Sequence, residues 1–208
     1  IRFKVPNDGS IEFNDYIRGE MSFNLSDVED FVILRSDKSP TYHLASTVDD
    51  VDYGITIIAR GEDILSSTPK HIMLMKSMNA ALPDFCHLPL LFGPDGKKLS
   101  KRHGDTSVEA FRKKGILSDA MFNYLCLLGW SPGNDVEQFD INTAISKFDL
   151  KNVLPNSAIF DEKKLLWLNG LYIRSTNIED FQVTALSQIE KDIQRELFDE
   201  EKSRLSKI

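Results

Sequence analysis

Ile55-Thr56-Ile57-Ile58-Ala59 is a nearly unbroken apolar, β-branched run that leads directly into Arg60-Gly61-Glu62-Asp63. A run of this kind is expected of a strand buried on both faces of a parallel sheet. Parallel strands need a crossover, and a helix signal follows. Thr68 reads as its N-cap and Pro69 as its first residue. The helix is expected to reach about Asn79 and to bury Ile72, Met75 and Met78. A second buried strand is expected at residues 88–92. Strand, helix, strand is α/β logic, and open parallel sheets bind ligands outside the C-terminal ends of their strands.

At that edge stands Gly93-Pro94-Asp95-Gly96-Lys97-Lys98-Leu99-Ser100-Lys101-Arg102-His103-Gly104. Two glycines and a proline open it as a tight turn. Lys97, Lys98, Lys101, Arg102 and His103 then follow within a few positions, around the hydroxyl of Ser100. Such a loop suits a polyanion: lysines act as point charges on phosphate oxygens, and the hydroxyl and backbone N–H groups add donors. It is not a P-loop, because the spacing from Gly93 to Gly96-Lys97 is wrong for one. The ordinary reading of a lysine run is a solvated turn.

The composition is that of a globular chain, 41% hydrophobic and 27% charged over 208 residues. A net charge of −7 argues against bulk electrostatic binding of nucleic acid, but leaves room for a local basic face. The basic residues do gather, at 97–103 and at Arg112-Lys113-Lys114. Cys86 and Cys126 are separate and lie among apolar neighbours, so they read as buried free thiols of a reducing, cytoplasmic setting. No apolar run approaches a membrane span. The chain opens on Ile1 in a strand-like pattern and ends in a helical one, which reads as a piece of a longer protein.

Elsewhere, residues 1–35 read as β-rich, with a hairpin expected at Asn7-Asp8-Gly9. Beyond the loop the pattern is helical. Thr106 and Glu109 form a capping box for a helix stopping at Gly115. Ser118 reads as the cap of a helix that Gly129 ends and that turns Met121, Phe122, Leu125 and Leu128 to the core. Another helix is expected from about Asp161 to Asn169-Gly170. A last amphipathic one starts at Asn177, with Phe181, Ala185, Ile189, Ile193 and Leu197 on one face. Trp130 and Trp167 read as packing residues.

Few single side chains carry chemistry on their own. Arg60, directly after a strand and before Gly61, could grip a carboxylate bidentately, or could pair internally with Glu62 or Asp63. Tyr42 could line a pocket or pack in the core. Glu62 and Asp63 could hold ribose hydroxyls or a lysine, or stand exposed. His71-Ile72-Met73-Leu74 superficially resembles a nucleotide-binding signature, but lacks its glycine and sits within the helix begun by Thr68-Pro69.

In order, however, the segments form a pattern. Lys98-Leu99-Ser100-Lys101-Arg102 looks like the KMSKS-type signature of class I aminoacyl-tRNA synthetases. Thr41-Tyr42-His43-Leu44-Ala45, Val48-Asp49-Asp50, Arg60-Gly61-Glu62-Asp63, Thr68-Pro69-Lys70, Leu127-Leu128-Gly129-Trp130 and Leu165-Leu166-Trp167-Leu168-Asn169-Gly170 resemble the bacterial-type glutamyl-tRNA synthetases in order and spacing. Phe13-Asn14-Asp15-Tyr16-Ile17-Arg18-Gly19-Glu20 looks like that family's acceptor-end insertion.

The resemblance implies an α/β fold: the second half of a Rossmann-like catalytic domain, followed by an α-helical stem-contact region. Residues 1–35 would end the acceptor-end insertion and 36–95 would complete the catalytic domain. Residues 96–175 would contact the tRNA stem, and 176–208 would begin a helical anticodon-binding domain. The implied activity is glutamate–tRNA ligation with ATP, Mg2+, L-glutamate and tRNA(Glu), by a monomer. Any zinc site would lie upstream of this chain, and the chain alone is expected to be inactive. Lys98, Ser100 and Lys101 would be catalytic. Asp63, Leu91, Lys98, Lys101 and Arg102 would face ATP, and Tyr42 and Arg60 would hold glutamate. Ile64 departs from the His or Trp common at its position, which bears on the adenine side. The rival readings are a glutaminyl-tRNA synthetase and a non-catalytic tRNA-binding relative.

Overall fold

The computed structural model describes residues 1–100, 104 and 106–205. Its first part is built on short strands. β1 (Arg2–Phe3) pairs antiparallel with β4 (Phe31–Val32). β2 (Ser10–Asp15) and β3 (Gly19–Asn24) form the hairpin. The hairpin expected at Asn7-Asp8-Gly9 is thereby corrected. The strands reverse at 16–18 instead, where Asp15 Oδ1 accepts from the Ile17 and Arg18 N–H groups at 3.0 Å each and Gly19 takes φ +75°. An Asx turn of this sort outcompetes the earlier glycine because it sets Ile11 opposite Phe23 and Phe13 opposite Met21 on one face.

The α/β expectation holds. α1 (Tyr42–Asp52) precedes β5 (Ile57–Gly61), a 3₁₀ segment (Glu62–Ser67) leads into α2 (Thr68–Ser77), and β6 (Asp84–Leu88) and β7 (Leu91–Phe92) follow. A four-stranded sheet has the order β3-β2-β6-β5, with β5, β6 and β2 parallel and β3 antiparallel. β2 joins β6 only through Asp15 opposite Phe85. The core beneath it gathers Ile11, Phe31, Ile72, Met73, Leu74 and Phe85.

Within this chain β5 stands at one end of the four-stranded sheet, with Ile55 42% and Ile57 40% exposed. Three local readings change. The second strand is 84–88, four residues earlier than expected, because Asp84 pairs with Ile57 and starts the register. Ser67, not Thr68, occupies the N-cap of α2; Thr68 is the first helical residue and its hydroxyl is engaged in the site below. The helix also stops at Ser77, so Met78 lies 39% exposed.

The second part is helical. α3 (Val108–Lys113), α4 (Ser118–Leu127), α5 (Ile141–Lys147), α6 (Glu162–Ser175), α7 (Ile178–Ile193) and α8 (Asp199–Leu205) are joined by a short β8 (Ala158–Ile159) that pairs parallel with β7. Phe111, Met121, Tyr124, Phe160, Leu165 and Leu168 form its core. Ser107 rather than Thr106 caps α3, accepting from the Ala110 N–H at 3.2 Å. Leu117 precedes α4 where Ser118 was expected, and the buried face of that helix is Ala120, Met121, Asn123 and Tyr124, leaving Leu125 45% exposed. Trp130 is buried, but Trp167 is 46% exposed on α6, which runs through Asn169-Gly170 to Ser175. Among the described residues no helix is long and apolar enough to cross a membrane.

Asp161, near which α6 is expected to start, is its N-cap. Its Oδ1 accepts from the Lys163 and Lys164 N–H groups at 2.9 and 3.2 Å, and its own N–H donates to the buried Tyr124 hydroxyl at 2.7 Å. Asp161→Ala removes the first two bonds and keeps the third. It is expected to cost about 1 kcal/mol, read as a lowered urea midpoint, with Asp161→Ser restoring most of it.

Candidate active site

Arg60 lies near the C-terminal end of β5, directly opposite His87 of the parallel strand β6. Parallel neighbours in register share a face, so the two side chains meet. Arg60 Nε donates to His87 Nε2 at 3.0 Å and its Nη2 donates to Thr68 Oγ1 at 2.7 Å. Its Nη1 lies 3.3 Å from His71 Nδ1. Thr68 Oγ1 is also 3.0 Å from His87 Nε2. On the far side of His87, Nδ1 is 2.6 Å from Asp15 Oδ2, and the His87 backbone N–H donates to the same carboxylate at 3.0 Å.

The donors determine the tautomers. A guanidinium only donates, so His87 Nε2 must accept and its proton sits on Nδ1, directed at Asp15. By the same logic His71 accepts on Nδ1 and donates from Nε2 to His43 Nδ1, 3.2 Å away. Two neutral imidazoles thus contact the one cation, and the third, His43, stands behind His71. Burial holds His71 down to about 3, helped by Arg60 and by the other two rings. Burial also lowers His87, against the pull of Asp15, and lowers His43. Asp15 would be raised by its burial, but the His87 ring and the N–H groups of residues 17, 18 and 87 bring it below the ordinary carboxylate range.

Arg60 is the group these partners serve. Burial lowers its pKa, with Tyr42, Asp50 and Asp15 acting against that. Its internal pairing with Glu62 or Asp63, open on sequence grounds, does not occur. Glu62 contacts Arg18 and accepts from the Leu90 N–H at 3.1 Å, and Asp63 pairs with Lys98 at 2.6 Å. Among the described residues no carboxylate stands within ion-pair distance of Arg60. A partly buried cation surrounded by neutral acceptors retains its attraction for an incoming carboxylate. Tyr42, 55% exposed in the first turn of α1, lies over this group, its ring centroid 5.8 Å from that of His71.

The lysine loop begins as a tight hairpin after β7. Gly96 N–H bonds to Gly93 O at 3.0 Å, Gly93 N–H to Lys97 O at 2.8 Å, and Leu99 N–H to Leu91 O at 2.7 Å. Gly96 takes φ +70°, which favours glycine there. This carries Lys98 to the Asp63 carboxylate, whose pKa the ammonium lowers. Ser100 is exposed at the end of the described stretch. Lys101 and Arg102 lie outside the described residues.

The structure thus joins Arg60 with Tyr42, and Asp63 with Lys98, and places Leu91 at the foot of the loop. The sequence reading missed Asp15, Thr68, His71 and His87. The signal available was His87 within the run Phe85-Cys86-His87-Leu88, since a polar side chain in a buried strand needs a partner. Cys86 is buried and free, and Cys126 is partly buried and free.

A mixed α/β sheet with a partly buried arginine near its C-terminal edge and a lysine hairpin after β7 is the architecture of a class I synthetase catalytic domain. The family described as tRNA synthetases class I (E and Q), catalytic domain, matches residues 1–167, and the chain belongs to it. Among curated relatives, the glutamate–tRNA ligase of Aquifex aeolicus is 49% identical over 84% of this chain and 37% of its own length. That of Carboxydothermus hydrogenoformans is 47% identical over 86% of this chain and 37% of its own. A crystal structure of a glutamate tRNA ligase from Elizabethkingia meningosepticum, in complex with its amino acid, superposes with a TM-score of 0.84 at 34% identity, covering 99% of this chain and 44% of that one. The chain thus spans about two fifths of the length of the relatives it matches.

Proposed function

We propose that the protein carrying this chain is a glutamate–tRNA ligase, working as a cytoplasmic monomer. A carboxylate oxygen of glutamate attacks the α-phosphorus of ATP, and the bond to pyrophosphate breaks. A ribose hydroxyl at the tRNA(Glu) 3′ end then attacks the glutamyl carbonyl and releases AMP. The first step needs alignment and a sink for the charge of the departing pyrophosphate. Lys98 and Lys101 supply that sink, with Ser100 fixing the loop. Asp63, Leu91 and Arg102 face the nucleotide, and Mg2+ enters with ATP as part of the substrate. Arg60 takes the side-chain carboxylate of glutamate, and Tyr42 lines the pocket.

The observation that carries this reading is Arg60, a partly buried guanidinium held by a threonine, two neutral histidines and Tyr42, with no carboxylate at ion-pair distance among the described residues. Glutamine would bring no charge to such a site, so glutamate is preferred over the alternative substrate of the family.

The test is ATP–pyrophosphate exchange by the full-length protein with glutamate or glutamine, with and without tRNA(Glu) and tRNA(Gln), and with this chain alone as control. Exchange that requires glutamate is expected. Arg60→Lys, which loses the planar fork, is expected to raise the glutamate KM about tenfold or more while leaving the ATP KM within twofold. Exchange driven by glutamine would transfer the protein to the other branch of the family. No exchange under any condition, with tRNA still bound, would make it a binding relative.

A further inference from the structure

We infer that Asp15, acting through His87, is the positioning element that orients Arg60 toward the glutamate side chain, so that the β2–β3 hairpin is part of the amino-acid pocket rather than only a neighbour of it. This rests on the assignment of Arg60 to the glutamate carboxylate.

Donors and acceptors decide the orientation of Arg60. An arginine side chain is long and flexible, and a guanidinium that recognises a carboxylate must hold its plane fixed. Two of its nitrogens are held here at short range, Nε by His87 and Nη2 by Thr68. The His87 bond exists only if its ring carries the proton on Nδ1. In the other tautomer Nε2–H would face Arg60 Nε–H, donor against donor. Asp15 excludes that tautomer: its Oδ2 lies 2.6 Å from Nδ1 and also accepts from the His87 N–H, while Oδ1 accepts from the Ile17 and Arg18 N–H groups. Both side chains are sealed from solvent, His87 at 0% and Asp15 at 1% exposure, so no water substitutes for either. The ring is further wedged by Phe85 and Phe13, whose centroids lie 6.3 and 6.5 Å from its own.

Asp15→Asn tests the tautomer directly. An asparagine has one oxygen for two pairs of donors. If its amide nitrogen faces His87, the ring must shift its proton to Nε2 and repel Arg60; if it faces residues 17 and 18, the turn of the hairpin loses its acceptor. His87→Phe keeps the shape and removes the acceptor, and His87→Gln can return an acceptor near Nε2.

The experiment is steady-state ATP–pyrophosphate exchange by the full-length protein, with tRNA(Glu) present, for Asp15→Asn, His87→Phe, His87→Gln and Thr68→Val, alone and combined with Arg60→Ala. His87→Phe and Asp15→Asn are expected to raise the glutamate KM by about ten- to a hundredfold, the range of one lost charge-assisted bond. The ATP KM should stay within twofold, and His87→Gln should recover part of the loss. In the Arg60→Ala background neither change should add more than about twofold, since both act through Arg60. Thr68→Val carries the same comparison if the strand variants do not fold. Additive effects, or losses in kcat with the glutamate KM unmoved, would overturn the positioning role while leaving Arg60 in place. An Arg60→Ala protein with an unchanged glutamate KM would overturn the Arg60 assignment itself.

Discussion

Replacing Lys98 with alanine in the full-length protein is expected to slow glutamate-dependent ATP–pyrophosphate exchange by about 10²- to 10³-fold, the usual cost of one preorganised charge at a developing anion. The loss should fall on kcat rather than on the ATP KM, because negative charge on the leaving pyrophosphate grows as the bond breaks. Geometry sharpens the expectation. The Gly93–Gly96 turn and the Leu99–Leu91 bond fix where the lysine emerges, and Asp63 holds its ammonium at 2.6 Å. That pair is about half exposed at both ends, so a triphosphate can displace the carboxylate at little cost. Affinity for tRNA, measured by filter binding, should change less than twofold. A kcat within threefold of the parent would remove Lys98 from the chemistry.

Acid should unfold this chain earlier than its carboxylates alone would dictate. His71 titrates near its ordinary 6.5 when unfolded, and at about 3 in the fold. Its contribution is complete above pH 6.5. Below that the unfolded chain takes up a proton the fold refuses, and stability falls by about 1.4 kcal/mol per pH unit until about pH 3. From pH 6.5 to 5 the loss is about 2 kcal/mol from this residue. His87 and His43, also lowered, add in the same direction: burial opposes their charging first, then Lys70 and Arg60 at His43, and Arg60 and Arg18 at His87, where Asp15 acts the other way. Asp15 acts later: lowered from 3.8, it holds its contribution until the pH drops beneath that value. The urea midpoint, followed from pH 7.5 to 4.5, should fall steadily, and His71→Gln should flatten the slope by about one proton. A flat profile in the parent would mean that the cluster accepts a proton within the fold.

What the sequence reveals of this fold divides along the range of the interactions. Local chemistry was legible: Asp161 and Asn177 cap their helices, and Gly93 to Gly96 turns as its residues require. The loop lysine and Arg60 were singled out because motif order marked them. What failed depended on distant partners. Asn7-Asp8-Gly9 looked like a hairpin until the pairing of 10–15 with 19–24 was known. Thr68 looked like a cap because Ser-Thr-Pro suits either residue, and only the reach of Arg60 decides which hydroxyl is needed elsewhere. His71 and His87 gave no periodic signal, since a buried polar network is defined by contacts between segments 11 to 72 positions apart. Alternation and caps report on a residue's own neighbours and cannot reveal such contacts.

The two ends of the four-stranded sheet differ in a way that matters for handling the polypeptide. β3 finishes one end with Glu20, Ser22 and Asn24, a polar margin that discourages further pairing. In this 208-residue polypeptide taken by itself, β5 finishes the other with β-branched, partly exposed residues and no gatekeeping charge before Arg60. A strand of that composition is a template for addition of another. Solutions of this polypeptide should therefore scatter more light as concentration and temperature rise, and a lysine in place of Ile57 should make it easier to concentrate without touching the pocket that Arg60 faces.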